Sequence, residues 1–235
     1  MNILITGSNG FVGNYFINKY KDKYNIKSFS FLNDDVNTLN CNDTDIVFHL
    51  SALVHQMGGA SEEEYERVNV TQTIELAKKA KYSGVKQFVF MSTVKVYGEE
   101  TNIAYTETSD CNPQDEYGKS KLKAENELLK LEDDSFKVSI VRTPIVYGYG
   151  VKANIKNLVG LVNKVPILPF GDIQNKRSMV YVGNLCHLVD VLISIGCAAL
   201  AAPREEIGET KVTHPRNIFL ATDDEPLSTT KLIEL

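Results

Sequence analysis

The stretch Asn2-Ile3-Leu4-Ile5-Thr6-Gly7-Ser8-Asn9-Gly10-Phe11-Val12-Gly13 decides the fold. A short apolar run meets three glycines spaced three apart, and a helical pattern follows from Asn14 to Lys21. This is the layout of a dinucleotide-binding turn. The strand delivers the chain to the carboxyl edge of a sheet. Gly7 takes a tight turn with positive φ. Gly10, lacking a Cβ, lets a pyrophosphate reach the backbone, and Gly13 lets the helix pack against the strand. The helix then aims its free N–H groups at the phosphates. A glycine triplet alone also fits an ordinary strand-to-helix turn; the flanking strand and helix supply the specific context.

The rest of the composition narrows the class. The chain has 235 residues, enough for one sizeable core or one domain with a small appendage. Hydrophobic residues make up 43% and charged residues 23%, ordinary for a globular protein, and the net charge is −5. There is no basic run, no aromatic-basic interleaving and no zinc spacing, so neither a nucleic-acid partner nor a metal is expected. Cys41, Cys111, Cys186 and Cys197 are scattered and never form a C-x-x-C, which predicts thiols in a reducing, cytoplasmic setting. No signal peptide is expected, because the chain opens on a core strand. Met179 to Ala202 is the most apolar stretch, but Asn184, His187 and Asp190 interrupt it. It reads as a short strand and a buried helix, not a membrane span.

Downstream of the turn, Tyr15, Phe16 and Tyr20 form the inner face of the first helix, and Ile26 to Phe31 reads as the second strand. Asp34 and Asp35 follow, roughly twenty residues past Gly13, where a carboxylate for an adenosine ribose is expected. A helix cap or solvated turn explains either aspartate equally well. No arginine precedes Arg67, so a partner for a 2′-phosphate is missing, which favours NAD while leaving NADP possible. Asp45 to Leu50 is a buried strand. Val36 lies too close to it for a full crossover helix, which takes about a dozen residues. His49 and His55 read as core or rim histidines rather than acid–base groups. Ser61 to Tyr82 is predicted as one long helix, capped by Ser61 and stopped by Gly84, and Val85 to Met91 as the next strand. Alternating strands and helices imply a parallel, doubly wound sheet with ligands at the strands' carboxyl ends.

The catalytic pattern falls at that edge. Ser92-Thr93-Val94-Lys95-Val96-Tyr97-Gly98 follows a strand directly, and Tyr117-Gly118-Lys119-Ser120-Lys121 opens a helix reaching to Leu131. Tyr117 and Lys121 share one helix face. A nearby ammonium favours the phenolate, so Lys121 is expected to lower the Tyr117 pKa and make it usable as a general base. Lys121 also suits ribose hydroxyls, and Thr93 can bond the oxygen that gains or loses the proton.

Taken together, these pieces resemble the extended short-chain dehydrogenase/reductase family, in its NAD-dependent nucleotide-sugar epimerase/dehydratase group. The matching segments are Thr6-Gly7-x-x-Gly10-Phe11-x-Gly13, His49-Leu50-Ser51-Ala52, Val68-Asn69, Thr93-x-x-Val96-Tyr97-Gly98, Tyr117-x-x-x-Lys121, Arg142-Thr143-Pro144-Ile145-Val146-Tyr147-Gly148 and Arg177-Ser178-Met179-Val180-Tyr181-Val182. The resemblance implies Thr93, Tyr117 and Lys121 as the catalytic trio. It implies Gly7, Gly10, Phe11, Val12, Gly13, Asp34, Asp35, Val36, Leu50, Ala52, Asn69, Ser92, Tyr117, Lys121 and Pro144 around the cofactor. Asn154, Pro169, Phe170, Gly171 and Arg177, with Thr93, would hold the nucleotide sugar. A guanidinium at Arg177 suits a diphosphate, which it grips in a two-pronged way.

Departures from the family pattern refine the expectation. Val94 and Lys95 stand where the 4,6-dehydratase branch carries an Asp-Glu pair, and valine donates no proton, which argues against dehydration. Ile145 stands where the galactose-epimerase branch carries asparagine, and Gly183 where an aspartate is usual. Gly150-Val151-Lys152-Ala153-Asn154 with Leu168-Pro169-Phe170-Gly171 resembles bacterial members that act at C4 of N-acetylated 6-deoxy sugars.

The expected architecture is α/β: a Rossmann doubly wound parallel sheet over residues 1–147, with a smaller, mixed, interleaved substrate-binding lobe over 148–235. Pro203 to Arg216 reads as a flexible connection, Asn217 to Ala221 as a strand, and Ser228 as the cap of a further helix. Family members usually continue further, so a shortened substrate lobe is expected. The expected function is NAD(P)-dependent epimerisation at C4 of a UDP-sugar, in a homodimer away from membranes. A 4-keto-6-deoxy nucleotide-sugar reductase is the alternative, and a non-catalytic cofactor sensor the alternative of another class.

Overall fold

The computed structural model describes residues 1–54, 60–151, 160–162, 164, 175–201, 217–223, 226, 228 and 231; for 197–201 only the backbone is described. Strands β1 (Asn2–Thr6), β2 (Asn25–Phe29), β3 (Ile46–His49), β4 (Gln87–Thr93) and β5 (Lys137–Thr143) run parallel. Strands β6 (Ile145–Tyr147) and β7 (Met179–Tyr181) form a separate parallel pair. Strand β8 (Ile218–Leu220) joins β5, giving the six-stranded order β2-β1-β3-β4-β5-β8.

Strand alternation sends the side chains into two cores. Ile3, Ile5, Ile46, Phe48, Val89 and Val141 face one layer; Leu4, Val47, Phe88, Phe90, Val138 and Ile140 face the other. Helix α1 (Phe11–Tyr20) covers the first face with Phe16 and Tyr20. On the second face lie α2 (Glu62–Tyr65), α3 (Gln72–Tyr82) and α4 (Glu116–Leu129), with Leu76, Ala77, Ala124 and Leu128 packed inward. Helix α5 (Val182–Ala201) buries Leu185, Cys186, Val189, Leu192 and Ile193 at helical spacing against the first core. Met179 to Ala202 is thus a strand and a core helix, as its polar interruptions predict. No helix among the described residues is long and apolar enough to cross a membrane. Past residue 148 the chain returns α5 and β8 to the main sheet.

Several local expectations need correction. The crossover from β2 to β3 holds only the 3-10 turn Val36–Thr38, as the short spacing requires. Ser61 does cap the next helix, reciprocally with Glu64. The run to Tyr82 is not one regular helix, however: a π-helical stretch, Glu66–Thr71, separates α2 from α3. Buried bonds hold that wider turn in place. Asn69 is tied by its side chain to Leu53, and the Thr73 hydroxyl donates to the Asn69 carbonyl at 2.8 Å. Such a stretch has no periodicity signature. Strand β2 ends at Phe29 rather than Phe31, and β4 runs from Gln87 to Thr93 rather than from Val85 to Met91. Helix α4 ends at Leu129, short of Leu131. Pro203 to Arg216 lies outside the described residues, as does His55. Ser228 accepts the Lys231 N–H at 3.0 Å, as a helix cap does.

A buried ion pair fastens α4 to the centre of the sheet. Arg142, on β5, donates through Nε to both Glu125 oxygens at 3.2 Å and through Nη2 to Oε2 at 2.6 Å. The Ser92 hydroxyl, on β4, donates to Glu125 as well. Both charged side chains are nearly closed to solvent. Removing one partner strands a buried charge, whereas removing both with apolar replacements does not. Arg142→Met alone should therefore cost about 3–5 kcal/mol of unfolding free energy in urea titrations. The double variant Arg142→Met/Glu125→Leu should recover most of that; equal losses in both would contradict a buried-charge origin.

Candidate active site

The glycine turn has the geometry its spacing predicts. Gly7 adopts φ +69°, and a Cβ there would stand 2.9 Å from the Leu50 carbonyl carbon and the Ser51 nitrogen. A Cβ on Gly13 would stand 2.6 Å from the Gly7 carbonyl oxygen. The strand, the turn and the helix therefore meet more closely than any side chain permits. Gly10 caps α1 with no side-chain bond, and no acidic residue occupies the helix's first turn. Those N–H groups are left to an anion. Phe11, Val12 and Leu50 are half-buried against the first core, Val36 against the second, and Ala52 and Pro144 are half-buried just past β3 and β5.

Asp34 and Asp35 stand exposed beyond β2. Asp34 accepts the Ser30 N–H at 3.3 Å, and Asp35 accepts the Asn37 N–H at 2.9 Å as cap of the 3-10 turn. Both thus serve local turns, and both leave a carboxylate at the end of β2. Glycine cradle, uncapped helix start and acidic strand end together fit NAD.

His49 settles as a core histidine. Burial pushes its pKa down to about 3, with Lys121 adding to the effect. Its Nδ1 lies 2.7 Å from the Thr6 hydroxyl and its Nε2 2.9 Å from the Thr73 hydroxyl. Thr73 spends its own proton on the Asn69 carbonyl, and Thr6 Oγ1 accepts the Leu50 and Ser51 N–H groups. The consistent assignment protonates Nε2, with the Thr6 O–H donating to Nδ1.

Two residues that the resemblance implies around the cofactor, Asn69 and Ser92, have their side chains engaged by buried partners. Asn69 is fully buried: its side chain accepts the Leu53 N–H at 2.8 Å and donates to the Leu53 carbonyl at 2.9 Å and to Ser120 at 3.0 Å. Ser92 turns its hydroxyl inward to Glu125, while its carbonyl accepts the Thr143 hydroxyl at 2.9 Å. These bonds tie Leu53 and α4 to the strand ends. The reason is desolvation: each satisfies buried partners that would otherwise be unpaired.

Thr93 closes β4 and Tyr117 stands in the first turn of α4, with Lys121 one turn further on. Lys121 is almost wholly buried, its Nζ 4.0 Å from the Phe90 ring centroid. Burial lowers its pKa to about 7, against the pull of Glu125. Tyr117 behaves opposite to expectation. Burial pushes its pKa up to about 12, Asp115 adds to this, and Thr93, within hydrogen-bonding reach of the phenol, opposes it. Desolvation outweighs any help from Lys121, whose own ammonium is destabilised by the same burial. Tyr65 adjoins the trio, its ring centroid 6.3 Å from that of Tyr117.

Of the substrate-side residues, Arg177 is exposed just before β7. Asn154, Pro169, Phe170 and Gly171 lie outside the described residues. Gly183 gives Tyr181 room: a Cβ there would stand 2.4 Å from the Tyr181 ring. A carboxylate nevertheless sits at the start of α5. Asp223 accepts the Tyr181 N–H and the Tyr147 hydroxyl, each at 2.9 Å, and the Asn184 amide at 2.8 Å. Nothing in local sequence pattern points to Asp223, because its partners come from three other segments. Asp115, which the sequence reading does not single out, is the N-cap of α4, and an aspartate two positions before Tyr117 is the local signal that could have found it. It accepts the Gly118 N–H at 2.7 Å.

Comparison with known proteins agrees with this geometry. A family model, the NAD dependent epimerase/dehydratase family, matches residues 3–196. The chain is 37% identical over 259 aligned residues to a UDP-glucose 4-epimerase of Vibrio cholerae, covering 98% of this chain and 73% of that one. Among solved structures, a UDP-glucuronic acid 4-epimerase from Bacillus cereus in complex with NAD superposes with a TM-score of 0.74 at 22% identity, covering 98% of this chain and 81% of that chain. A dTDP-4-dehydrorhamnose reductase from Clostridium acetobutylicum superposes with a TM-score of 0.77 at 24% identity, covering 97% and 76%. At these identities the structural likeness speaks for the fold. With the family model spanning most of the chain and one relative aligned along nearly all of it, the protein belongs to the NAD-dependent epimerase/dehydratase family.

Proposed function

We propose that the protein is an NAD-dependent nucleotide-sugar 4-epimerase acting on a UDP-hexose or UDP-N-acetylhexosamine. The observation that carries this reading is that Thr93, at the end of β4, lies within hydrogen-bonding reach of Tyr117, with Lys121 one turn further along α4, at the same carboxyl edge of the parallel sheet as the glycine turn. The relative from Vibrio cholerae, named as a UDP-glucose 4-epimerase, supports the substrate class. Val94 and Lys95, neither of which is a carboxylic acid, count against dehydration.

NAD, when bound, supplies a hydride acceptor and donor and, when oxidised, a positive charge in the cleft. The chain supplies the proton handling. Tyr117 holds its phenolic proton near neutral pH in the bare protein. With a cation beside it, it takes the proton of the C4 hydroxyl and later returns one. Thr93 orients that hydroxyl oxygen. Lys121, with a pKa close to neutral, donates hydrogen bonds to ribose hydroxyls without burying a full charge at all times. The exposed Arg177 suits the diphosphate of the substrate.

Tyr117→Phe should lower turnover about a hundredfold or more with NAD affinity little changed; undiminished turnover would refute the assignment. Arg177→Ala should raise KM for the UDP-sugar far more than it weakens NAD binding, and an equal effect on both would remove its role. The purified protein should retain NAD through gel filtration and interconvert C4 epimers without net consumption of NAD(H). Loss of cofactor on the column, with stoichiometric NAD(P)H oxidation by a 4-keto sugar, would identify a reductase.

A further inference from the structure

Lys95 occupies the turn directly after Thr93, and three of its groups engage the catalytic pair's supports. Its N–H donates to Thr93 Oγ1 at 3.3 Å. Its carbonyl oxygen lies where a Cβ on Gly118 would come within 2.9 Å, so only glycine lets α4 sit this close. Its Nζ donates to Asp115 at 2.7 Å and to Glu99 at 2.7 Å. Asp115, through its other oxygen, caps α4 at Gly118. One residue therefore joins the turn that carries Thr93 to the helix start that carries Tyr117.

The pair with Glu99 is an i,i+4 contact with a half-exposed carboxylate and contributes little. The pair with Asp115 is different. Both of its side chains are mostly enclosed, at 30% and 24% exposure, and it spans two separate elements. The negative charge of Asp115 also acts on Tyr117 directly.

We propose that Lys95 is a positioning residue that sets the spacing between Thr93 and Tyr117 and screens Tyr117 from the charge of Asp115. This rests on the catalytic reading of Tyr117 given above. The groups that act on that phenol are Asp115, which caps its helix, Tyr65 from α2 and Thr93 at the end of β4; Lys121 stands one turn further along the same helix, and Lys95, from the turn after β4, connects to the phenol through Asp115. Among them Lys95 is the cation paired to the carboxylate that most opposes ionisation. Removing it leaves Asp115 free to hold the phenol's proton more tightly; removing the charge of Asp115 does the reverse.

The test titrates the Tyr117 phenolate by ultraviolet difference absorbance in the NAD-saturated protein. The chain has 11 tyrosines, so each variant is measured against its own Tyr117→Phe partner. Lys95→Met should raise the midpoint by about half a pH unit, leaving roughly threefold less phenolate at a fixed pH on the rising limb. The rising limb of the kcat profile should move by the same amount, with KM for the sugar changing less than about twofold. Lys95→Arg should keep both near wild type. Asp115→Asn, which retains an oxygen for the cap, should lower the midpoint, and adding Lys95→Met to it should then shift the midpoint little. An unmoved midpoint in Lys95→Met, or an equal shift in the Asp115→Asn background, overturns the proposal. If Lys95→Met does not fold, Asp115→Asn decides alone: an unmoved or raised midpoint overturns it. The phenolate titration needs no turnover, so it reads this coupling even where epimerisation is absent; an absent activity with the shifts intact removes the epimerase reading only.

Discussion

The contact on which the site depends most is the buried pair of Arg142 and Glu125. It joins β5 to α4, and through Ser92 it reaches β4 as well. A charge pair this enclosed is stable only when its hydrogen bonds are complete. Its geometry therefore allows little sliding of α4 along the sheet. Glu125 lies one turn beyond Lys121, and Lys121 one turn beyond Tyr117, so the same pair fixes the height of both above the strand ends. It also places a carboxylate that partly offsets the burial of the Lys121 ammonium.

The opposite end of α4 is held by other means. Asp115 caps the helix, Lys95 binds Asp115, and Gly118 permits backbone contact with the Lys95 turn. The helix is thus fastened below by a dry ion pair and above by a partly wet one. The dry pair resists displacement, while the wet pair stands close enough to the phenol to influence its proton. Across the cleft, the glycine turn meets the start of the β3 loop with no space for side chains. His49, neutral and doubly hydrogen-bonded, joins β1 to the start of α3 through Thr6 and Thr73. Buried polar groups therefore brace both α4 and the β1–β3 part of the sheet.

Much of this was legible before any coordinates. The glycines, the strand alternation and the spacing of Tyr117 from Lys121 each reflect local rules of backbone freedom or periodicity. Those rules hold wherever the chain is placed, so the parallel doubly wound sheet could be read directly, and the proposed trio falls at its carboxyl edge. The short β2-to-β3 connection was likewise a matter of chain length. What misled was any inference that depended on solvent. Tyr117 looked like an activated phenol beside an ammonium, but burial raises the pKa of the phenol and lowers that of the lysine together. Nothing in the local sequence shows that the side chains of Asn69 and Ser92 are held by buried neighbours.

The sequence by itself determined the order of strands and helices, the glycine turn after β1, and the candidates for moving a proton. These follow from spacing and side-chain chemistry, which are local properties. Only the tertiary structure decided which polar residues face the cleft and which support it. It alone supplied Asp223 to the start of α5, drew Lys95 to the helix that bears Tyr117, and widened the helix turn at Glu66–Thr71. Each of these depends on segments remote in the chain meeting in a medium without water, where every donor, acceptor and charge has to be matched by a neighbour.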